Sequence, residues 1–512
     1  MRRLHVGVCA LTLLAFGCIA ARAAEDAAGR ATVRVNASHV LRTMDHRMLL
    51  GTNVALWNSA DCFSTPQITG WVRELGMGLI RIPGGSWSDI TFWNGNGVRR
   101  PDGSVDTSRV KDGYPAIDYS AYAPTITVND NRVIQTWCGN VDVKTLHDFV
   151  QGVGAPALVC VNAGTGRPVD AAEWVRWAGK MGYRVNYWEV GNELGGSWEA
   201  GHYLPGGAEL TGPVNAERFE QFARAMKAVD PTISVGCMDW LDDVMARCGD
   251  LVDFLTWHTY PLHESQTRQE MLALAVSEPA RIAGEFRDTV RKRQPAREGR
   301  IKLGVSEWNL GLGGALEVDM FGAVWSSIFV GEMFRDGIDF ANQWDAFTGG
   351  DLVMADKPAV RRGQYWVLWL WGHYMGDSLV ECGVEGGASL NAYATASADA
   401  VYVMLINSSP DQAAEATVNL DGFEPAAQGE CAVLCHRGYF WNSLTRRPEW
   451  SGGPTVLPLD VGKSFQVEAP PMSVQWWYAM FARCSVRTAW WPSSMVALGC
   501  LRERTHSRKF LM

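Results

Sequence analysis

Eight short apolar runs, most of them separated by stretches of helical period, restrict the fold of this chain more than any other feature of its sequence. The runs are Met48 to Val54, Met77 to Ile82, Ala157 to Asn162, Val185 to Val190, Ile233 to Met238, Val252 to His258, Ile301 to Glu307 and Ile338 to Trp344. Helices are predicted at Pro66 to Leu75, Val143 to Gly152, Val169 to Met181, Asn215 to Val229, Glu278 to Lys292, Val318 to Arg335 and Gln364 to Tyr374. A strand that is apolar throughout needs cover on both faces, and parallel neighbours need a crossover helix between them. The α/β class follows, with residues 45–375 expected to close into a (β/α)8 TIM barrel.

Two of these strands end in carboxylates. Val185-Asn186-Tyr187-Trp188-Glu189-Val190 runs into Gly191-Asn192-Glu193, and Ile301 to Val305 runs into Ser306-Glu307-Trp308-Asn309. The C-terminal ends of barrel strands form the active-site face, and the chain between the two glutamates holds about three βα units at ~35–40 residues each. Paired carboxylates at one barrel mouth suit glycoside cleavage, which needs an acid at the leaving oxygen and an anion or nucleophile at the anomeric carbon. A gap of about 5–5.5 Å would give retention of configuration, and ~6.5–9.5 Å would give inversion.

Asn192-Glu193 after a Trp-Glu-Val-Gly strand, with Ser306-Glu307-Trp308-Asn309 ending a later one, resembles the acid/base and nucleophile strands of the retaining glycoside hydrolases of clan A. Within the clan the likeness is to the α-L-arabinofuranosidase-type enzymes, and Arg81-Ile82-Pro83-Gly84-Gly85, Asn162 to Pro168 and His258-Thr259-Tyr260-Pro261 agree with it in order. The resemblance implies Glu193 as acid/base and Glu307 as nucleophile. It implies Asn192 as donor to the sugar 2-hydroxyl, and Arg81 and Tyr260 as partners of Glu307. His258 is expected to orient its neighbours, Trp344 to stack beneath the sugar, with Trp308, Trp87 and Trp57 as further platforms, and Asn53 and Asn162 to line the pocket. The chain departs from these enzymes where Gly51-Thr52-Asn53-Val54-Ala55-Leu56-Trp57 lacks their sugar-binding glutamate and Ser306 replaces an acidic residue. The sugar therefore stays open, and an endo-acting glucanase or xylanase of the same clan, or a catalytically silent carbohydrate-binding protein, are the alternatives.

Composition narrows the partners. A net charge of −9 disfavours nucleic acid, whose phosphates need clustered positive charge. The 23 Trp exceed what packing alone asks for, and flat indole faces suit stacking on the carbohydrate partner that the resemblance implies; the other reading is that most of these Trp are core. Arg2 and Arg3, the apolar Val6 to Ala20 and Ala21-Arg22-Ala23 have the layout of an export signal over residues 1–23, too short to span a membrane stably. A periplasmic or extracellular protein is expected; Cys18 offers lipidation as the alternative, although no Leu stands three positions before it. The remaining cysteines form no CxxC pair and no zinc pattern, so neither a metal nor a cofactor is expected. Cys62 with Cys138, or Cys237 with Cys248, are possible disulfides, and buried free thiols are the other reading.

Residues 94–140, rich in Gly, Asp, Asn, Arg and Pro, are too long for an ordinary connection and would overlie the barrel mouth. From residue 376 the pattern alternates, at Ala398 to Asn407, Ala416 to Leu420, Ser464 to Val467 and Pro470 to Val474, which predicts a C-terminal all-β sandwich over residues 376–478. Ala31 to Ala37, within residues 24–44, is expected to join it as an N-terminal strand. Residues 479–512 follow no period and form an irregular tail.

Overall fold

The structure, a computed structural model, describes residues 30–94, 98–99, 105–106, 127–128, 132–133, 139–204, 207–348 and 352–481. The predicted export signal, most of the 94–140 insertion and the chain after Phe481 lie outside the described residues.

Eight strands, Gly51–Asn53, Ile80–Ile82, Ala157–Val161, Val185–Val190, Ser234–Cys237, Phe254–Thr259, Lys302–Trp308 and Phe340–Gln343, close a parallel barrel in chain order and are called first to eighth below. Pairing of Asn342 with Gly51 seals the ring. Helices Pro66–Glu74, Val143–Gly152, Pro168–Met181, Gly212–Val229, Leu241–Cys248, Arg268–Arg293, Met320–Asp336 and Gly363–His373 form the outer layer. Leu241–Cys248 is an addition to the sequence reading, and the helix placed at Glu278 to Lys292 starts ten residues earlier, at Arg268. Thr267 and Glu270 cap that start with a reciprocal capping box. Pro279 removes one backbone hydrogen bond inside the helix, but the buried face of Met271, Ala275, Ile282, Phe286 and Val290 continues across it.

Apolar side chains close the lower end of the barrel. Leu79, Leu158, Phe254 and Phe340 are fully buried there, with Tyr187 stacked on Phe340 at 4.5 Å. Gly304 makes room for this plug, since a Cβ at that position would lie 2.2 Å from the Phe340 ring. Because side chains alternate in and out along a strand, the inward positions above this plug belong to Arg81, Glu189, Thr256 and Ser306. A polar layer therefore sits directly on an apolar floor.

Nine strands form the β domain, in the order Thr455–Asp460, Pro425–Leu434, Ser473–Phe481, Ala400–Asn407, Leu390–Ala396, Ser378–Gly386, Arg30–Thr43, Ala414–Asp421 and Ser464–Ala469. The sheet curls into two layers: Phe465, from one edge, packs edge-on against Trp477 of Ser473–Phe481 at 4.9 Å. The N-terminal strand Arg30–Thr43 pairs antiparallel with Ser378–Gly386 and parallel with Ala414–Asp421. Ser473–Phe481 carries regular strand structure past residue 478, where the sequence pattern ended the β domain.

One core joins the two domains. Met320–Asp336 and Gly363–His373 are buried almost all round, because the barrel covers one side of them and the β domain the other. Tyr393 of the β domain donates to Glu332 at 2.8 Å, and Trp371 donates to Ser327 at 3.1 Å while packing against Trp476. No helix of the described residues is long and apolar enough to cross a membrane. All seven described cysteines are free thiols, including Cys237 and Cys248, so that candidate disulfide is absent; Cys138, the other candidate partner of Cys62, lies outside the described residues.

Candidate active site

Arg81 organises the mouth of the barrel. It is fully buried on the second strand, where Nε donates to Glu189 Oε2 at 2.7 Å and Nη1 to Glu307 Oε1 at 2.7 Å. Nη2 donates to Asn192 Oδ1 at 2.8 Å, and Nη1 also reaches Asn53 Oδ1 at 3.3 Å. Glu189 completes its own shell by accepting from Thr256 at 2.6 Å and Ser306 at 2.9 Å. The Arg81 charge holds Glu189 below the usual carboxylate range, although burial pushes it the other way.

Both glutamates of the sequence motif converge above this layer. Plain alternation along the seventh strand would turn Glu307 away from Ser306, but the register shifts there: Trp257 pairs with Val305 and His258 with Glu307. That bulge leaves Ser306 facing inward and brings Glu307 to the same cavity. Tyr260 then donates to Glu307 Oε2 at 2.7 Å, opposite the Arg81 contact. Glu193 leaves the fourth strand in a left-handed conformation, φ 47°, which lifts its carboxylate over the barrel axis. His258 Nδ1 meets Glu193 Oε1 at 2.7 Å and stands 3.6 Å from Glu307 Oε2. This nitrogen and one carboxylate oxygen from each glutamate all lie within 4.8 Å of one another. Such a grouping has the spacing to hold a cation, but here guanidinium and imidazole already supply the positive charge.

Proton positions follow from the hydrogen bonds. Ser306 Oγ donates to Glu189, so at 3.1 Å it accepts from His258 Nε2–H. One more proton remains, in the bond between His258 Nδ1 and Glu193, and either partner can hold it. Burial alone would lower His258, but Glu307 and Glu193 raise it overall. Burial raises Glu193, yet His258 brings it net below the glutamate norm, while burial holds Glu307 above it against the pull of His258 and Arg81. Those directions favour the proton on His258, and the three groups titrate as a unit.

The cavity above the pair is about 260 Å³ and is walled by Trp57, Trp87 and Trp344, with Gly85, Ser86 and Asn192 completing it. Trp57 packs on Trp87 at 5.1 Å and on Trp344 at 5.8 Å. Gly85, at φ 38°, lets the loop pass under Trp344, since a Cβ there would sit 2.7 Å from the indole. Trp198, half exposed at the rim, donates to Glu193 Oε2 at 3.1 Å.

Three other predicted site residues lie elsewhere. Trp308 is fully buried against Phe329 at 5.1 Å, because the same bulge that turns Glu307 inward leaves Trp308 facing the helices. Asn53 lies beneath the pocket, where its amide also donates to the Ser306 carbonyl at 3.1 Å. Asn162 folds its own loop, accepting from the backbone of Thr165 and Gly166 at 2.8 and 2.9 Å. The sequence reading assigned no role to Glu189, Ser86, Asp89, Trp198 or Glu199. Glu189 was legible, since it stands two positions after the inward Tyr187; the others sit on loops without period.

No family model matches the chain. It is 24% identical over 434 residues to the probable α-L-arabinofuranosidase C of Aspergillus clavatus, covering 72% of this chain and 79% of that protein. To the α-L-arabinofuranosidase C of Emericella nidulans it is 24% identical over 353 residues, covering 59% of this chain and 64% of that one. Among solved structures, the α-L-arabinofuranosidase of Thermotoga maritima in complex with arabinose superposes with a TM-score of 0.68 at 16% identity, over 88% of this chain and all of that one (100%). A bifunctional glucanase-xylanase from a metagenome library reaches 0.63 at 14% identity, over 88% of this chain and 99% of that one. Sequence likeness and a barrel with paired glutamates at its mouth define a glycoside hydrolase. Within that class the chain resembles the enzymes of clan A and is similar in sequence to the α-L-arabinofuranosidases.

Proposed function

We propose that this chain is an exported, retaining exo-hydrolase that releases terminal α-L-arabinofuranosyl residues from polysaccharide or oligosaccharide. The observation that carries the mechanism is that one oxygen of the Glu193 carboxylate and one of the Glu307 carboxylate lie within 4.8 Å of each other, an approach that suits the close pairing of double displacement. Glu307, aimed by Arg81 and Tyr260, attacks the anomeric carbon as the bond to the leaving oxygen breaks and Glu193 hands that oxygen a proton. Water then attacks the glycosyl ester, Glu193 takes its proton, and Glu307 departs as carboxylate. A cavity of about 260 Å³ walled by three indoles suits one sugar ring better than a polymer chain, and the curated relatives point to the arabinofuranosyl group.

His258 resolves the apparent conflict between roles and resting charges. A sugar that fills the pocket expels water, which penalises the His258–Glu193 ion pair and favours its neutral form. The proton then crosses the 2.7 Å bond to Glu193, where the leaving group needs it.

A panel of nitrophenyl glycosides (α-L-arabinofuranoside, β-D-xyloside, β-D-glucoside), with the anomer of the first product read by proton NMR, tests this reading. Hydrolysis of the arabinofuranoside with retention is expected. Cleavage of arabinoxylan or β-glucan alone would establish the endo-acting alternative, and binding without turnover would mark a silent carbohydrate-binding protein.

The pH profile of kcat/KM is expected to be bell-shaped. Activity falls on the acid side as Glu307 gains a proton, at a pH above the ordinary glutamate value of 4.5 because burial raises it. It falls on the alkaline side as the shared proton leaves the His258–Glu193 pair, above the ordinary histidine value of 6.5 because the two carboxylates raise His258. A rate that climbs steadily through pH 8 would contradict the shared-proton arrangement.

A further inference from the structure

Behind the pocket wall lies a carboxyl group that the mechanism does not use. Glu199, on the loop after the fourth strand, is fully buried, and its hydrogen-bond donors among the described residues, Ser86 and Asn192, are both neutral. Its Oε1 accepts from Ser86 Oγ at 2.6 Å and from Asn192 Nδ2 at 3.1 Å, and both donors line the pocket. Its Oε2 is buried without a hydrogen-bond partner. An unpaired carboxylate oxygen in such a place is costly when charged, and a proton on it removes the charge.

The charged groups facing Glu199 agree. The acidic groups that face it are Asp89, on the turn Gly85–Ile90 and itself raised to about 7 by burial, and the catalytic Glu193 and Glu307; each disfavours a charge on Glu199 when ionised. Arg81 is engaged with Glu189, Glu307 and Asn192; Arg218 bonds the carbonyls of Ala163 and Gly201, and His202 Nδ1 meets the Leu194 carbonyl. Burial, then the charge of Asp89, lifts Glu199 to about 9.

Asn192 shows what a neutral acid achieves here. Arg81 occupies its oxygen and Glu199 takes one of its two N–H groups, which fixes the orientation of the amide. The second N–H is left for the sugar that fills the pocket.

We propose that Glu199 keeps its proton on Oε2 throughout the catalytic cycle and, as a neutral acid, is the positioning residue that aims Asn192 and Ser86 at the substrate. The proposal rests on the glycosidase reading given above, and its test separates the two.

Glu199→Gln preserves shape, acceptor and neutrality. Its kcat/KM on the nitrophenyl arabinofuranoside is expected within about threefold of wild type, with both limbs of the pH profile unmoved. Glu199→Ala removes the acceptor and is expected to lose about tenfold or more, matching one hydrogen bond to a transition-state contact. That loss should shrink when Asn192 is already alanine, or when the substrate lacks the 2-hydroxyl. Independently of any turnover, the infrared difference spectrum of wild type minus Glu199→Gln at pH 7 should show a protonated-carboxyl C=O stretch, in a protein whose melting temperature the substitution leaves unchanged. A carboxylate band in that spectrum, or an alkaline limb displaced in Glu199→Gln, would show an ionised Glu199 and overturn the proposal. The infrared band stands or falls even if no glycoside is hydrolysed, in which case only the glycosidase reading fails.

Discussion

Replacing Glu307 by alanine is expected to lower kcat on the nitrophenyl arabinofuranoside by about 10⁴-fold or more, the scale seen when a covalent nucleophile is removed. Azide should restore part of that rate by entering the space left by the carboxylate and attacking the anomeric carbon directly. The product would be a glycosyl azide of inverted configuration, identifiable by NMR. Glu193→Ala should behave differently: with a good leaving group the glycosyl-enzyme still forms, and azide then intercepts it to give the retained azide. The resting charges alone would permit the opposite assignment, since Glu193 is held below and Glu307 above the glutamate norm. Geometry argues for the roles proposed. Glu307 is gripped at both oxygens by Arg81 and Tyr260 at 2.7 Å, as a nucleophile must be, whereas Glu193 shares a mobile proton with His258 and faces the rim beside Trp198. An inverted azide from Glu193→Ala would reverse the roles.

Arg81→Met should destabilise the protein by about 3–5 kcal/mol, because it leaves two buried carboxylates, Glu189 and Glu307, without their cation. Urea unfolding reads this as a lower midpoint at unchanged slope. A second substitution, Glu189→Leu, should recover much of the loss, since a well-packed apolar pair often equals a buried ion pair in stability. Activity should not return with it, because Glu307 and Asn192 still lack the guanidinium that aims them. A loss below about 1 kcal/mol in Arg81→Met would show that Glu189 and Glu307 are neutral in the folded protein and that Arg81 serves only orientation.

The barrel was legible because its physics is local. Strands such as Ala157–Val161 are covered on both faces, so every residue is apolar or small, and helices such as Val143–Gly152 carry one buried stripe. The paired glutamates were legible for a related reason: each ends a strand abruptly, where a parallel barrel places its mouth. Arg81, Tyr260 and His258 stand at the ends of such strands too, and the structure brings all three to the carboxylates. What escaped follows the same logic. Trp308 reads as a mouth residue by position, but a bulge at Ser306 turns it into the helical layer. Ser86, Asp89 and Glu199 sit on irregular turns, where no period relates sequence to direction.

The sequence by itself determined the alternation of strand and helix, the barrel face at which the strands end and the two carboxylates that stand at that face, because these depend on side-chain periodicity and chain order. Only the tertiary structure decided how the protons and charges are shared. Burial of Arg81, the approach of His258 to both glutamates and the isolation of Glu199 depend on distances between strands and loops far apart in the chain. Electrostatic energy varies with separation and with exclusion of water, and neither quantity is written in the order of residues.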